Sequence, residues 1–319
     1  MDWRPAASLG TLQERARILF RIRAFFEARG VWEVDTPILS RAGTTDPHID
    51  SFVSRYQGPG AAGGLPLYLH TSPEFPMKRL LAAGSGPIFQ MAKVFRQGEA
   101  GRLHNPEFTL LEWYRPGFGM AQLMDEVEAL VRCFLDYPAA RRVTYARLFE
   151  EVVGLDPHRA DVAQLAACAC ASGLGSLPDL GGDRDAWLHL LFSHRVEPVL
   201  EGLTFVHDYP TSQAALARIR EGDPPVAERF ELYVDGVELA NGFHELSDAA
   251  EQRSRFAAER GQRRSAGQED IAADGRLLQA LEHGLPDCSG VALGVDRLVM
   301  RTLGLDSVAD VIAFPVERA

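Results

Sequence analysis

Hydrophobic residues recur at spacings of three and four near the start of the chain. The repeat is formed by Leu9, Leu12, Ala16, Leu19, Ile22 and Phe26. This spacing predicts an amphipathic helix, and Gly30 is suited to cap its C-terminus. The apolar segment 31–39 that follows is predicted to be a strand containing Pro37. Because proline offers no N–H to a sheet, we expect this strand at a sheet edge or a subunit boundary.

Later in the chain, strand-like runs and helical spacing follow one another without regular alternation. Strands are predicted at 67–70, 88–96, 108–115, 227–245 and 289–294. Helical spacing dominates residues 139–225, which we interpret as a mainly helical insertion between two halves of a sheet. Irregularly spaced strands favour an α+β fold, with a largely antiparallel sheet flanked by helices, over a doubly wound one. We therefore predict one domain over residues 1–319, with that insertion inside it.

Composition and charge narrow the function classes. The 319 residues are 46% hydrophobic and carry a formal net charge of −11, and only two of the 33 basic residues are lysines, Lys78 and Lys93. A broad nucleic-acid footprint needs an excess of positive charge, so none is expected. No apolar run approaches the roughly 18 residues of a membrane span, and residues 1–10 lack the charged-then-apolar pattern of a signal peptide. Four cysteines without paired spacing predict reduced thiols in a cytoplasmic protein.

The densest group of chemically useful residues surrounds an eleven-residue loop, 97–107, between two predicted strands. Period-two alternation places Phe108, Leu110, Glu112 and Tyr114 on one face of the second strand. An aromatic ring, a carboxylate and a phenol on one face favour a pocket wall, although a half-buried hairpin with a solvated acid fits the same pattern. The sequence contains neither GxGxxG nor GxxxxGK[ST], so any nucleotide must be held by side chains and sheet backbone.

Two further segments carry candidate ligands. Glu238 and Glu245 would fall on opposite faces of an uninterrupted strand, but a turn or bulge at Asn241–Gly242 would return them to one face. Two convergent carboxylates beside a nucleotide would suit Mg²⁺, although paired surface acids are common. In 290–298, small residues let a ligand approach the strand, and Arg297 could stack on a purine or hold phosphate oxygens. The alternative is an arginine paired with a nearby acid.

Taken in order, these segments resemble the three signature motifs of class II aminoacyl-tRNA synthetases. The helix and strand ending at Pro37 resemble motif 1, which forms dimers in that class; 95–108 resembles motif 2, and 290–297 resembles motif 3. The resemblance covers nearly the whole chain. Within the class it is greatest to the lysyl subgroup, through 104–108 and 238–245. It implies the class II catalytic core and a homodimer.

One difference from lysyl-tRNA synthetases is that their β-barrel anticodon-binding domain, of roughly a hundred residues, has no room before Leu9. We therefore expect no anticodon-binding domain and no tRNA partner. The chain is similar to truncated lysyl-synthetase paralogues that modify elongation factor P. That resemblance implies ATP-dependent activation of (R)-β-lysine or lysine as an adenylate, followed by transfer to a lysine of elongation factor P. Two alternatives remain: a lysine-activating enzyme with another acceptor, and a non-catalytic regulatory paralogue.

The resemblance also implies roles for individual residues. The expected ATP contacts are Arg96, Gln97, Gly98, Glu99, His104, Asn105, Phe108, Glu238, Leu239, Gly294 and Arg297. The expected amino-acid contacts are Ser72, Pro73, Glu74, Tyr114, Glu245 and Ala292. Arg96 and Arg297 would support catalysis, and Glu238 and Glu245 would lie at Mg²⁺. Motif 2 usually reads Arg–x–Glu, whereas here Gly98 takes the acid's place and Glu99 follows, so either could contact ATP.

Overall fold

The computed structural model describes residues 3–61, 63–174 and 180–319. The chain divides into two compact units. Unit 1 is drawn from Met1–Phe118, Cys133–Leu135 and Ser247–Ala319, and unit 2 from Gly119–Arg132 and Asp136–Leu246. No helix of the described residues has the length and apolar character needed to cross a bilayer.

Helices and strands follow one another irregularly along the described residues. The α-helices are α1 (Leu9–Glu27), α2 (Glu74–Ala82), α3 (Met120–Val131), α4 (Tyr145–Val153), α5 (Val162–Ala169), α6 (Arg184–Leu191), α7 (Ala249–Ser265), α8 (Gly275–His283) and α9 (Val295–Thr302). The strands are β1 (Trp32–Glu33), β2 (Leu39–Ser40), β3 (Val53–Tyr56), β4 (Leu65–Leu69), β5 (Ile88–Phe95), β6 (Glu107–Pro116), β7 (Arg141–Thr144), β8 (Leu203–Pro210), β9 (Ile219–Arg220), β10 (Val226–Val234), β11 (Val237–His244) and β12 (Cys288–Gly294).

The first helix forms as its spacing predicts. The Ser8 hydroxyl accepts a hydrogen bond from the Thr11 N–H at 3.0 Å and caps the N-terminus of α1. At the other end, Gly30 adopts a left-handed φ of 66°, and the Val31 N–H bonds back to the Phe26 carbonyl at 3.1 Å. This is the Schellman arrangement that a glycine after the helix permits. The prediction of Gly30 as the terminating residue is confirmed.

The sheet of unit 1 places its strands in the order β1, β5, β6, β12. The β5–β6 and β6–β12 pairs are antiparallel, and the short β1–β5 pair is parallel. The buried face of α1 packs on this sheet: the ring of Phe26 stacks on Phe89 at 4.6 Å and meets the edge of Trp113 at 5.2 Å. This packing holds β5 and β6 rigid, which matters because the 97–107 loop connects them.

The segment 31–39 differs from the single strand that was predicted. It forms only β1 at its start, with β2 beginning at its last residue, Leu39. Pro37 has no N–H for a ladder and disfavours many conformations of its neighbour, so pairing stops. Thr36 instead donates its hydroxyl to the Gln90 side chain at 2.9 Å. β1 does lie at the edge of the unit 1 sheet, as the proline indicated.

Unit 2 orders its longer strands β11, β10, β8, β7, with β9 pairing beside β10. The helices α4, α5 and α6 pack on a shared apolar core in which the rings of Tyr145 and Phe192 stack at 4.9 Å. Residues 139–225 thus contain these three helices and also β7, β8 and β9. The predicted continuous strand 227–245 is interrupted at Asp235–Gly236, where both residues have positive φ (45° and 74°). This is the Asp-Gly hairpin turn that matches strand twist.

A buried carboxyl in unit 1 gives a pH-dependent prediction. Burial raises the pKa of Glu259 on α7 to about 7, and the nearby carboxylates of Asp46 and Glu74 add to the rise. Ionisation of Glu259 is disfavoured in the folded chain. The stabilisation of the fold by the neutral carboxyl is therefore full below about pH 4.5 and is lost as pH rises through about 7. Glu259→Gln should remove this loss, raising stability at pH 8 by roughly 3 kcal/mol.

Urea unfolding at pH 5 and pH 8 tests this expectation. The matched control is Glu282→Gln, which removes a half-exposed carboxylate paired with Arg253 on the surface. It should leave the difference between the two pH values unchanged. An identical pH dependence in wild type and Glu259→Gln would contradict the prediction.

Candidate active site

The N-terminus of α2 carries the first group of predicted substrate contacts. Pro73 precedes the helix, and the Glu74 N–H bonds to the Ser72 hydroxyl at 3.3 Å. A carboxylate in the first helical turn is stabilised by the helix dipole. Lys78, one turn later and 1% exposed, places its Nζ 2.7 Å from Glu74 Oε1. The Glu74 side chain is therefore held in place by the buried ammonium of Lys78.

Arg96 follows the last residue of β5 and lies beside this helix start. Its Nε donates to the Thr71 carbonyl at 3.5 Å, and its Cζ lies 5.2 Å from the centre of the Phe108 ring. Its Nη1 lies 3.5 Å from Glu99 Oε1. The motif 2 arginine thus contacts Thr71, the residue before Ser72, and the ring predicted to stack on adenine.

The structure explains why glycine, and not glutamate, stands two residues after Arg96 in motif 2. Gly98 adopts a left-handed φ of 84°, which favours glycine at this turn of the loop. The carboxylate one position later, on Glu99, contacts Arg96. In this structure Gly98 shapes the backbone of the loop while Glu99 provides the acid beside the arginine.

Arg297 reaches the motif 2 loop from α9. Its Nη2 lies 2.8 Å from His104 Nε2, and its Nε donates to the Leu103 carbonyl at 3.3 Å. Burial lowers the pKa of His104, and the charge of Arg297 lowers it further. The imidazole is therefore neutral at pH 7 and can accept from the guanidinium. Gly294, which precedes α9, lies close to Arg297: a Cβ there would meet the Arg297 Cδ at 3.7 Å.

Asn105 has a structural role in this loop. Its side chain is buried, donates to the Glu107 carbonyl at 2.6 Å and accepts from the Val316 N–H at 3.0 Å. These bonds tie the loop to the C-terminal segment. The structure therefore shows Asn105 holding the loop beside the place where ATP is predicted to bind.

The face of β6 contains a carboxylate that was not among the predicted site residues. Glu112 is 3% exposed and accepts the Tyr114 hydroxyl at 2.7 Å. Its partners across the sheet are Gln90 on β5 and Ala292 on β12, so all three side chains share one face. The period-two pattern had already placed Glu112 beside Tyr114. What it could not show was the row formed with Ala292.

Glu238 on β11 and Glu245, which directly follows the strand, belong to unit 2. β11 pairs with β10 in a register that shifts between Leu232 and Tyr233, leaving Leu239 as the extra residue of a bulge. Because the bulge adds one residue, Glu238 returns to the face of the strand that carries Asn241 and Phe243. Continued alternation places Glu245 on the same face. The expected bulge therefore exists, but it lies at Leu239, because Asn241–Gly242 pair regularly with β10.

Buried groups on β10 support that strand. Arg229 and Glu231 form an ion pair, and the Tyr209 hydroxyl donates to Glu231 at 2.7 Å. In the pairing of β10 with β11, Arg229 lies opposite Phe243 and Glu231 lies opposite Asn241. The ion pair and the hydrogen bond stabilise β10, the strand that pairs with β11 and so supports the backbone that carries Glu238.

The structure groups the predicted residues as follows. Unit 1 contains Ser72, Pro73, Glu74, Arg96, Gln97, Gly98, Glu99, His104, Asn105, Phe108, Tyr114, Ala292, Gly294 and Arg297. Within it, contacts join Arg96 to Glu99 and Phe108, and Arg297 to His104. Unit 2 holds Glu238, Leu239 and Glu245. Within the described ranges no cluster of three or more His, Cys, Asp or Glu side chains could hold a metal unaided. Two carboxylates are nevertheless enough for Mg²⁺, which takes its remaining ligands from phosphates and water.

Comparison with known proteins decides the family. The model of the family described as tRNA synthetases class II (D, K and N) matches residues 1–318. The chain belongs to this family. Membership confirms the predicted α+β fold with its synthetase-type catalytic core, and it implies that this class II chain uses ATP.

Curated relatives of this class II chain are similar over their full length. A protein of Proteus mirabilis (strain HI4320) is 53% identical over 320 residues, covering 100% of this chain and 98% of that protein. One from Yersinia enterocolitica is likewise 53% identical over 320 residues. One from Pseudoalteromonas translucida is 53% identical over 319 residues, covering 99% and 98% of the two chains. All three are named elongation factor P–(R)-β-lysine ligase.

Proposed function

We propose that this chain is an ATP-dependent ligase that activates (R)-β-lysine as an aminoacyl-adenylate and transfers it to a lysine side chain of elongation factor P. The observation that carries the proposal is full-length identity of 53% to proteins with that name. The site supports it, because Arg96 contacts Glu99 and Arg297 contacts His104, both in the motif 2 loop. A regulatory paralogue without catalysis would not need this pair of guanidiniums.

In the first step the amino-acid carboxylate attacks the α-phosphate of ATP and pyrophosphate leaves. Arg96 would hold the α-phosphate, where its charge stabilises the developing negative charge on the oxygens. Phe108 and Arg297 would sandwich the adenine, which aligns the phosphate for in-line attack. Gln97, Asn105, Leu239 and the backbone of Gly294 would complete the nucleotide contacts. Mg²⁺ held by Glu238, Glu245 and the phosphates would neutralise phosphate charge.

The amino acid contributes two ammonium groups, and each needs an acidic partner. Glu74 would face the backbone-side amine, with Ser72 and Pro73 lining the same turn. Tyr114 and Glu245 would bind the ε-amine. In unit 1 the Tyr114 hydroxyl donates a hydrogen bond to Glu112 at 2.7 Å. This bond orients the phenol oxygen of Tyr114 so that it can accept a hydrogen bond from an ammonium. This set favours a doubly cationic substrate over neutral amino acids.

Ala292 gives a prediction about substrate choice. It lies across from Glu112 on the pocket face, where its methyl would reduce the space beside the backbone-side amine. Ala292→Gly should lower the preference for (R)-β-lysine over α-lysine by about tenfold, because one methyl discriminates by roughly 1–3 kcal/mol. The measurement is kcat/KM for each amino acid in ATP–pyrophosphate exchange. Ala227→Gly on β10, a buried alanine in the apolar core of unit 2, is the matched control and should leave the ratio unchanged.

The acceptor is tested directly. The enzyme is incubated with ATP, radiolabelled (R)-β-lysine, elongation factor P and bulk tRNA. We expect label on elongation factor P and none on tRNA, in agreement with the acidic net charge of −11. Label on tRNA but not on the protein would favour a lysine-activating enzyme with another acceptor.

We further propose that the chain acts as a cytoplasmic homodimer. Around the segment that resembles motif 1, three large hydrophobic side chains are exposed: Trp32 by 52%, Ile38 by 41% and Leu39 by 46%. Exposed apolar groups of this size are typical of a surface that a second copy covers. Sedimentation equilibrium at micromolar concentration should give twice the chain mass of 35.1 kDa.

A further inference from the structure

One buried arginine lies outside every motif discussed so far. Arg263 on α7 is 2% exposed. Its Nε donates to the Glu269 carbonyl at 2.9 Å, its Nη1 to the Asp46 carbonyl at 2.9 Å, and its Nη2 to Asp50 Oδ1 at 2.8 Å. Burying a guanidinium costs several kcal/mol unless such bonds compensate for lost water. A buried leucine would avoid this desolvation cost. We therefore interpret Arg263 as a residue that holds its three hydrogen-bond partners in position.

Arg263 fastens a particular segment, residues 45–50, which we call the strap. Other side chains of the same region hold the strap as well: the Thr45 hydroxyl donates to Glu259, and Gln268 Nε2 donates to the Pro47 carbonyl at 2.9 Å. Arg263 contacts the strap near both ends, at Asp46 and Asp50, through separate N–H groups of its planar guanidinium, a fork geometry that a lysine ammonium does not reproduce. The strap is thus bound along its length to α7 and the residues after it.

The strap in turn holds the start of the motif 2 loop. The Gln97 N–H donates to the Asp50 carbonyl at 2.9 Å, and the two residues form an isolated antiparallel bridge. Gln97 directly follows Arg96 and directly precedes the left-handed Gly98. A displacement of Asp50 would therefore move the point at which the loop leaves β5.

We propose that Arg263 is a positioning residue for ATP: it fixes the strap, and through Asp50 the strap fixes Gln97 and the motif 2 loop. Arg263 touches no substrate. This inference rests on the proposed function, because that function places ATP against the loop. Its consequence is selective, since the strap bonds to Gln97 in the loop, whereas the amino-acid contacts Glu74 and Tyr114 are carried by α2 and β6.

The test uses the full-length enzyme and two variants. Arg263→Met removes all three hydrogen bonds, whereas Asp50→Asn weakens one link and leaves Arg263 bonded to two carbonyls. We measure the ATP Kd by equilibrium dialysis, the KM values for ATP and (R)-β-lysine in pyrophosphate exchange, and the unfolding midpoint. Arg263→Met should raise the ATP Kd and KM on the order of ten- to a hundredfold, since a loop displacement of about 1 Å has effects of this size. The KM for (R)-β-lysine should stay within about twofold, and Asp50→Asn should show the same selectivity with a smaller rise.

The matched control is Arg260→Met on the same helix. Arg260 forms an exposed ion pair with Asp270 at 2.7 Å and does not contact the strap. It should leave all four quantities unchanged. If this control raised the ATP Kd as much as Arg263→Met, the effect would belong to α7 as a whole and the proposal would be overturned.

The outcomes separate this inference from the proposed function. Equal rises in both KM values, or a lower unfolding midpoint with an unchanged ATP Kd in both variants, would show that Arg263 is merely structural. If wild type binds ATP but shows no exchange that depends on (R)-β-lysine, the proposed function fails while the Kd values still decide the role of Arg263. If wild type binds no ATP, both are overturned.

Discussion

Arg297→Ala is expected to abolish ATP–pyrophosphate exchange driven by (R)-β-lysine, with kcat/KM falling at least about a hundredfold. The guanidinium would form one side of the adenine sandwich opposite Phe108, and it also holds the motif 2 loop through His104 and the Leu103 carbonyl. Alanine removes both contacts at once. The rate is measured with labelled pyrophosphate at saturating (R)-β-lysine, and wild type should exchange faster with (R)-β-lysine than with lysine.

The control for this variant is Arg301→Ala, one turn further along α9. It removes an arginine from the same helix while keeping Arg297 and its bonds to the loop, so exchange should stay near the wild-type rate. Exchange by wild type without any amino acid would argue against adenylate formation. Full activity of Arg297→Ala would show that the nucleotide is held elsewhere.

Lys78→Met is expected to cost about 3–5 kcal/mol of the free energy of unfolding, the range found when one partner of a buried ion pair is removed. Lys78 is 1% exposed and lies 2.7 Å from Glu74, whose side chain is 16% exposed. Methionine keeps most of the volume but leaves the Glu74 carboxylate buried without that cation. Urea unfolding at pH 7 measures the loss, and Lys78→Met combined with Glu74→Gln should recover part of it.

The chain supplies its own control, because its other lysine is exposed. Lys93 and Glu107 are 3.4 Å apart, with side chains 46% and 52% exposed. Exposed pairs contribute at most about 1 kcal/mol, so Lys93→Met should change stability little. If the two lysine variants lowered the free energy of unfolding equally, burial of the Lys78–Glu74 pair would add nothing to stability.

The features that sequence predicted best are those determined by residues close together in the chain. The spacing in α1 and its Gly30 terminus, the β5–β6 hairpin and the shared face of Glu112 and Tyr114 all follow from local periodicity. The Asp235–Gly236 turn also had a local signal, the Asp-Gly dipeptide, which the continuous-strand interpretation overlooked. The bulge at Leu239 had no such signal, because a bulge depends on the register with the partner strand.

Long-range contacts could not be predicted in this way. α7 is rich in arginines, and nothing in its sequence distinguishes buried Arg263 from exposed Arg260. Their difference arises from the strap, more than two hundred residues earlier in the chain. Glu259 likewise has its hydrogen-bond partner, Thr45, in this distant segment. The roles of the motif residues, and the single domain over 1–319, remain predictions.

The scarcity of lysine has a chemical consequence for an enzyme that makes a reactive mixed anhydride. Aminoacyl-adenylates acylate any neutral primary amine that reaches them, and a protein surface normally offers many. Here Lys78 is buried against Glu74 and Lys93 has Glu107 as a partner, while 31 of the 33 basic residues are arginines, whose guanidiniums stay protonated. Such a surface is poor in competing nucleophiles, so little activated substrate would be lost to self-labelling before the acceptor arrives.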